Sequence, residues 1–187
     1  FSTVASCGTA TAISLPCMFS DLDRKQYSGS KVENRENLLD LAGRAGYRVL
    51  WIDNQAGSKG VADRVEFQQL ERITTEGPET PDADFIPAFR RLLNQAAEPT
   101  LVVLHQMGSH GPEYFKRSRA STKPFLPECR DNRLERCSAQ EILNAYDNTI
   151  VETDNLIAGL IKEAMKQNDD RPITILYVSD HGESLGE

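Results

Sequence analysis

Three short apolar runs punctuate the chain: YRVLWI at 47–52, TLVVLHQ at 100–106 and PITILYV at 172–178. Each is continuous rather than alternating, the pattern of a strand buried on both faces. Strands are therefore predicted near 47–52, 100–106 and 173–178. Helical spacing precedes each run. Before the first, Leu38, Leu39, Leu41, Ala42 and Ala45 mark one face, and Gly46 stands where a glycine ends a helix. Before the second, Phe85, Phe89, Leu92, Leu93 and Ala96 repeat at the same spacing. Before the third come Ile142, Tyr146, Ile150, Ile157, Leu160, Ile161 and Ala164. Ser138 and Glu141 form a capping box there, and Asn168, Asp169, Asp170 and Pro172 read as the stop. Helices are expected near 10–17, 35–45, 82–96 and 139–167. Helix then strand, three times over, predicts an α/β fold with a mostly parallel sheet and helices on both faces. Residues 53–80 and 108–137 read as long irregular connections, which in a compact domain tend to be functional or mobile.

Composition narrows the class. A chain of 187 residues is one domain or a large piece of one. Hydrophobic residues at 39% and charged residues at 26% exclude a disordered tail. Lys and Arg total 21 against 28 Asp and Glu, a net charge of −7. That balance argues against a nucleic-acid binder, which needs a basic face to displace counterions. No apolar run approaches the ~18–20 residues that span a bilayer, so a soluble piece is expected. Phe1 opens without Met or a basic leader, and SDHGESLGE stops abruptly. The chain reads as an excised domain core, truncated at both ends.

Cys7, Cys17, Cys129 and Cys137 allow three pairings. Free buried thiols are one alternative. A zinc cluster is disfavoured because no C-x-x-C pair occurs. Cys129 and Cys137 flank a polar, exposed stretch where free thiols would be a liability, which favours disulfides and an oxidising compartment.

The polar residues gather at strand exits, where open α/β sheets bind ligands. Asp53, Asn54 and a GSKG loop with Lys59 follow the first run. The second delivers His105 and then GSHG with His110; the third delivers Asp180, His181, Gly182 and Glu183. All three histidines of the chain thus fall at one predicted edge. A carboxylate beside an imidazole suits zinc or manganese. In SCGTATAISLPC, residues 6–17, Thr9 and Thr11 open a predicted helix. A hydroxyl there would sit near orphan amides and the positive dipole end, which stabilises a phosphate attached to it. The plainer alternative is an ordinary N-cap.

SCGTATAISLPCMFS, GSKG, GSHGP and SDHGESLGE, in this order, resemble the catalytic domain of lipid A phosphoethanolamine transferases. That group includes the mobile colistin-resistance enzymes and belongs to the alkaline phosphatase and sulfatase superfamily. The resemblance covers nearly the whole chain. It implies that 1–187 is the central part of a single soluble periplasmic catalytic domain. The parent protein would be a monomer anchored in the inner membrane by a missing N-terminal segment. Thr11 matches the family's nucleophile, and Thr11, Asp180 and His181 match ligands of a catalytic Zn2+. Lys59 and His110 match residues that hold the substrate phosphate or a second zinc; His105 and Glu183 match further substrate-site residues. Cys7–Cys17 and Cys129–Cys137 match family disulfides. The family has a further Glu ligand before this segment and a His after it, which these 187 residues do not supply. The implied reaction carries phosphoethanolamine from phosphatidylethanolamine to a lipid A phosphate through Thr11, giving polymyxin and colistin resistance. Alternatives are a sulfatase-like or phosphodiesterase hydrolase, or an inactive folded scaffold. The C/S-x-P-x-R motif of sulfatases is absent around Thr11.

Overall fold

The computed structural model describes residues 5–74, 79–167 and 172–185. They form two compact units. One is built from the residues up to Gln69 together with Ala96–His105 and Leu176–Gly182. The other takes Leu70–Gln95, Gln106–Ile175 and the residues from Glu183.

The first unit holds a parallel sheet of β1 (Arg48–Asp53), β2 (Glu66–Gln69) and β3 (Thr100–His105), in the order β2-β1-β3. Val49 and Trp51 of β1 point one way and join Leu15, Leu39, Val61 and Ala62 in a buried cluster. Leu15 comes from α1 (Thr11–Phe19) and Leu39 from α3 (Leu38–Arg44). Leu50 and Ile52, which alternate to the opposite face, are buried too. The central strand is thus covered on both sides, as its continuous apolar run predicts. Each such side chain contributes about 1.5–3 kcal/mol.

α3 begins at Leu38, three residues after the predicted start. Asn37 accepts from Leu39 N at 2.8 Å, and Asp40 accepts from Asn37 N at 2.7 Å. Gly46, at φ +89°, ends it in a conformation that a β-carbon would strain. A short α2 (Gly29–Val32) and the edge strand β2 carry no apolar signal; all four residues of β2 are exposed. Backbone pairing to β1 and the Arg48–Glu66 ion pair at 2.7 Å hold β2 in place.

In the second unit, a 3-10 turn (Asp82–Asp84) leads into α4 (Phe85–Gln95), which packs on α5 (Ala139–Ala164). Ile86 lies so close to Gly159 that a β-carbon there would collide with it. Arg90 reaches Glu163 at 2.8 Å across the same contact. The predicted capping box of α5 is present: Ser138 N donates to Glu141 Oε2 at 2.8 Å. Asn168, Asp169 and Asp170 lie outside the described residues. Tyr114, Cys129, Ile142 and Ala145 make a second buried cluster. The region 108–137 contains only 3-10 turns, at Tyr114–Lys116, Ala120–Thr122 and Leu134–Arg136.

One predicted element is corrected. The described residues from Pro172 to Val178 form no strand. Leu176 is 86% exposed, and Tyr177 and Val178 are about as open as they are covered, at 53% and 52%. Hydrophobicity marks a run that favours cover, but a strand also requires a neighbour's ladder. Among the described residues this run has none.

Both disulfides join the cysteines matched by the family resemblance, and no described cysteine is free. Cys7–Cys17, with Cα atoms 6.3 Å apart, ties the loop entering α1 to its last full turn. Cys129–Cys137 closes the polar loop before α5, at a Cα distance of 5.7 Å.

Candidate functional site

The site is built on the N-terminus of α1. Its N-cap is Ala10, whose side chain offers no cap to the first-turn amides. Thr11 is the first helical residue and is buried. It therefore does not act as the N-cap, and the plainer reading of this threonine lapses. Its Oγ1 stands 3.3 Å from His181 Nε2, across 170 positions of sequence.

His181 is held from behind. Its Nδ1 lies 2.7 Å from Gly182 O, an acceptor only, so Nδ1 carries the proton and Nε2 presents its lone pair to Thr11. Ser179 Oγ donates to the His181 carbonyl at 2.6 Å and tightens the turn. Asp180 Oδ2 lies 3.7 Å from the same Nε2. Ser14, one helical turn beyond Thr11 and on the same face, donates to Asp180 Oδ2 at 3.0 Å. Ser14 is 2% exposed. Ser14 is absent from the motif residues named above, although a hydroxyl three residues after Thr11 is a signal for it.

Hydroxyl, carboxylate and imidazole converge with spacings that suit a cation. Donors around a tetrahedral zinc at about 2.0–2.1 Å stand about 3.3–3.4 Å apart. The 3.3 Å and 3.7 Å separations lie close to that edge length. Among the described residues, Thr11, Asp180 and His181 are three groups that could hold a zinc ion. No cluster of three or more His, Cys, Asp or Glu side chains suited to a metal occurs among the described residues.

A second polar centre lies at the carboxyl ends of β1 and β3. Asp53 and His105 are register partners. Asp53 is fully buried and His105 is 9% exposed; Asp53 Oδ1 meets His105 Nδ1 at 2.7 Å and accepts from Trp51 Nε1 at 3.1 Å. Asp53 Oδ2 accepts from Gln55 N and Gly57 N, both at 3.0 Å. Burial pushes the Asp53 carboxyl up, but hydrogen bonds from His105, Trp51 and Gly57 outweigh it and hold the pKa below the usual value. The loop so anchored carries Lys59, at φ +54° the one described non-glycine residue in the left-handed region. Its ammonium donates to Ala56 O at 2.6 Å.

Lys59 and His105 share a unit with Thr11, and their hydrogen bonds go elsewhere. His110 and Glu183 belong to the other unit. His110 Nδ1 donates to Gly111 O at 2.8 Å, and its own carbonyl accepts from Arg117 Nε at 3.0 Å. Glu183 accepts from Tyr114 at 3.5 Å. Tyr114 is buried, which with the Glu183 carboxylate and Tyr146 pushes its phenol up to about 12. No described helix is long and apolar enough to cross a membrane.

Known proteins share this sequence and fold. Phosphoethanolamine transferase EptA of Salmonella typhimurium is 40% identical over 191 residues, covering 100% of this chain and 35% of the relative. Phosphatidylethanolamine transferase Mcr-1 of Escherichia coli is 40% identical over 204 residues, covering 100% of this chain and 37% of the relative. The soluble domain of lipooligosaccharide phosphoethanolamine transferase A from Neisseria meningitidis superposes with a TM-score of 0.84 at 36% identity, over 89% of this chain and 51% of that one. The chain thus spans little more than a third of the length of these full-length relatives. The sulfatase family profile matches residues 1–187, and the chain belongs to that family.

Proposed function

We propose that this chain is the phosphoryl-transfer core of an enzyme that moves phosphoethanolamine from phosphatidylethanolamine to a lipid A phosphate. The observation that carries the reading is Thr11 Oγ1 set 3.3 Å from His181 Nε2 at an uncapped helix N-terminus. The likeness to named phosphoethanolamine transferases supplies the substrate class. Disulfides fit the oxidising periplasm, on the outer face of the inner membrane.

Thr11 Oγ1 attacks the phosphorus of the donor. The Oγ1–P bond forms, the P–O bond to diacylglycerol breaks, one proton leaves Thr11 and one is taken up by the departing oxygen. A lipid A phosphate oxygen then attacks the same phosphorus, and Thr11 regains its hydroxyl. Thr11, Asp180 and His181 would hold a zinc ion, which would supply positive charge that favours loss of the Thr11 proton and offsets the phosphoryl oxygens. The amides of the first turn of α1 and the Lys59 ammonium add to that field. His110 binds phosphate or moves a proton. The added ethanolamine cation masks lipid A charge and weakens binding of cationic peptides such as colistin.

Expression of the intact protein in cells, with mass analysis of lipid A, tests this. Lipid A should gain phosphoethanolamine with the native protein, in part with Thr11→Ser, and not with Thr11→Ala. Near-native modification by Thr11→Ala would overturn the assignment of the nucleophile.

A further inference from the structure

The Asp53 carboxylate uses both of its oxygens, and the partners on each side are donors or can be. Oδ1 faces Trp51 Nε1 and His105 Nδ1; Oδ2 faces the amides of Gln55 and Gly57. A fully buried carboxylate remains ionised only when it is satisfied in this way. The indole and the two amides can only donate. The nearest histidine nitrogen completes the set by donating as well, which assigns its tautomer. Asp53 thus joins three elements of one unit: the end of β1, the end of β3 through His105, and the loop carrying Lys59.

We propose that Asp53 is a positioning residue. Its carboxylate fixes the His105 proton on Nδ1, leaves Nε2 as that ring's working atom, and pre-sets the Lys59 loop for a phosphate-bearing ligand. The ligand class rests on the function proposed above; the tautomer and the loop anchorage do not. The loop needs such an anchor. Gly57, Lys59 and Gly60 adopt φ of +84°, +54° and +88°, and a non-glycine residue is held there only when its surroundings over-determine it. Asparagine cannot replace Asp53, because it keeps acceptor capacity on one oxygen alone. Either the Trp51 and His105 side or the loop side must then face an NH2 group.

Two measurements on the intact, isotope-labelled protein test this without a variant. Long-range 15N–1H spectra should show His105 protonated at Nδ1, and the Gln55 and Gly57 amides should exchange slowly. A neutral His105 protonated at Nε2, or fast exchange at both amides, would overturn the proposal. The variant adds the functional link, with phosphoethanolamine as the probe. Asp53→Asn should weaken its binding about tenfold and move the His105 nitrogen shifts, in a protein that still melts cooperatively. Affinity within twofold and an unchanged His105 spectrum would overturn it as well. If the native protein binds no phosphoethanolamine, the proposed function fails, while Nδ1 protonation and slow amides still support the role of Asp53.

Discussion

Ser14 Oγ lies 3.0 Å from Asp180 Oδ2, one turn along the helix that presents Thr11 to His181. The adjacent Asp180 and His181 are thus each met by a hydroxyl from one face of α1. Ser14 also lies 3.0 Å from Ala10 O and has one proton to give. Partners behind a metal ligand typically contribute about 10–100-fold in affinity. Ser14→Ala is therefore expected to weaken zinc binding about tenfold, read by competition with a chromophoric chelator. An unchanged affinity would remove Ser14 from the site.

Gly111 gives a second prediction. A β-carbon there would stand 2.6 Å from the Tyr114 hydroxyl oxygen and 2.8 Å from its ring. Tyr114 is buried and stacked edge-on against Tyr146, at 5.7 Å between centroids, so it cannot step aside. Gly111→Ala should cost about 1–3 kcal/mol, measured by denaturant unfolding. Because Gly111 O also accepts from His110, the backbone of the GSHG loop should shift, visible as changed amide resonances for 108–111. Gly43→Ala, with open space around its built β-carbon, is the control and should be neutral or slightly stabilising.

Glu163 sets a pH dependence. Hydrogen bonds from Arg90 and Lys166 hold its carboxyl down at about 2. A group whose pKa is depressed on folding contributes stability above its unfolded pKa and loses it as pH falls toward the folded value. Glu163→Gln should therefore be less stable than the native protein at pH 7. The difference should shrink as pH falls from about 4.3 toward 2. Equal losses at pH 7 and pH 2 would show that packing rather than charge links α4 to α5.

The Cys7–Cys17 bond encloses the first turn of α1 and Thr11 with it. Replacing both cysteines with serine should cost about 2–3 kcal/mol and loosen the helix start. Titration of unfolded, unreduced protein should find no thiols; two would contradict one bond and four would contradict both.

The extent to which this molecule is legible differs from element to element. β1 and β3 are readable because Val49–Ile52 and Leu101–Leu104 are continuous apolar runs. α3 is readable because Leu38, Leu39, Leu41, Ala42 and Ala45 repeat at helical spacing before Gly46, and α5 because Ser138 and Glu141 signal its start. β2 is silent, since an exposed edge strand is specified by its neighbour's backbone rather than by its own side chains. The run at 172–178 misleads for the complementary reason: its side chains favour burial, but the described residues supply no ladder. Thr11, Asp180 and His181 could be named from motifs. Ser14 and Asp53 could not be assigned roles, because what they do depends on which distant residue reaches them.

Intact-protein mass spectrometry after brief exposure to phosphatidylethanolamine, with no lipid A present, reads the covalent step at Thr11. A mass gain of one phosphoethanolamine group is expected, localised by fragmentation to Thr11, absent from Thr11→Ala and discharged when lipid A is added. A modified residue other than Thr11, or turnover to lipid A by Thr11→Ala at the native rate, would contradict it.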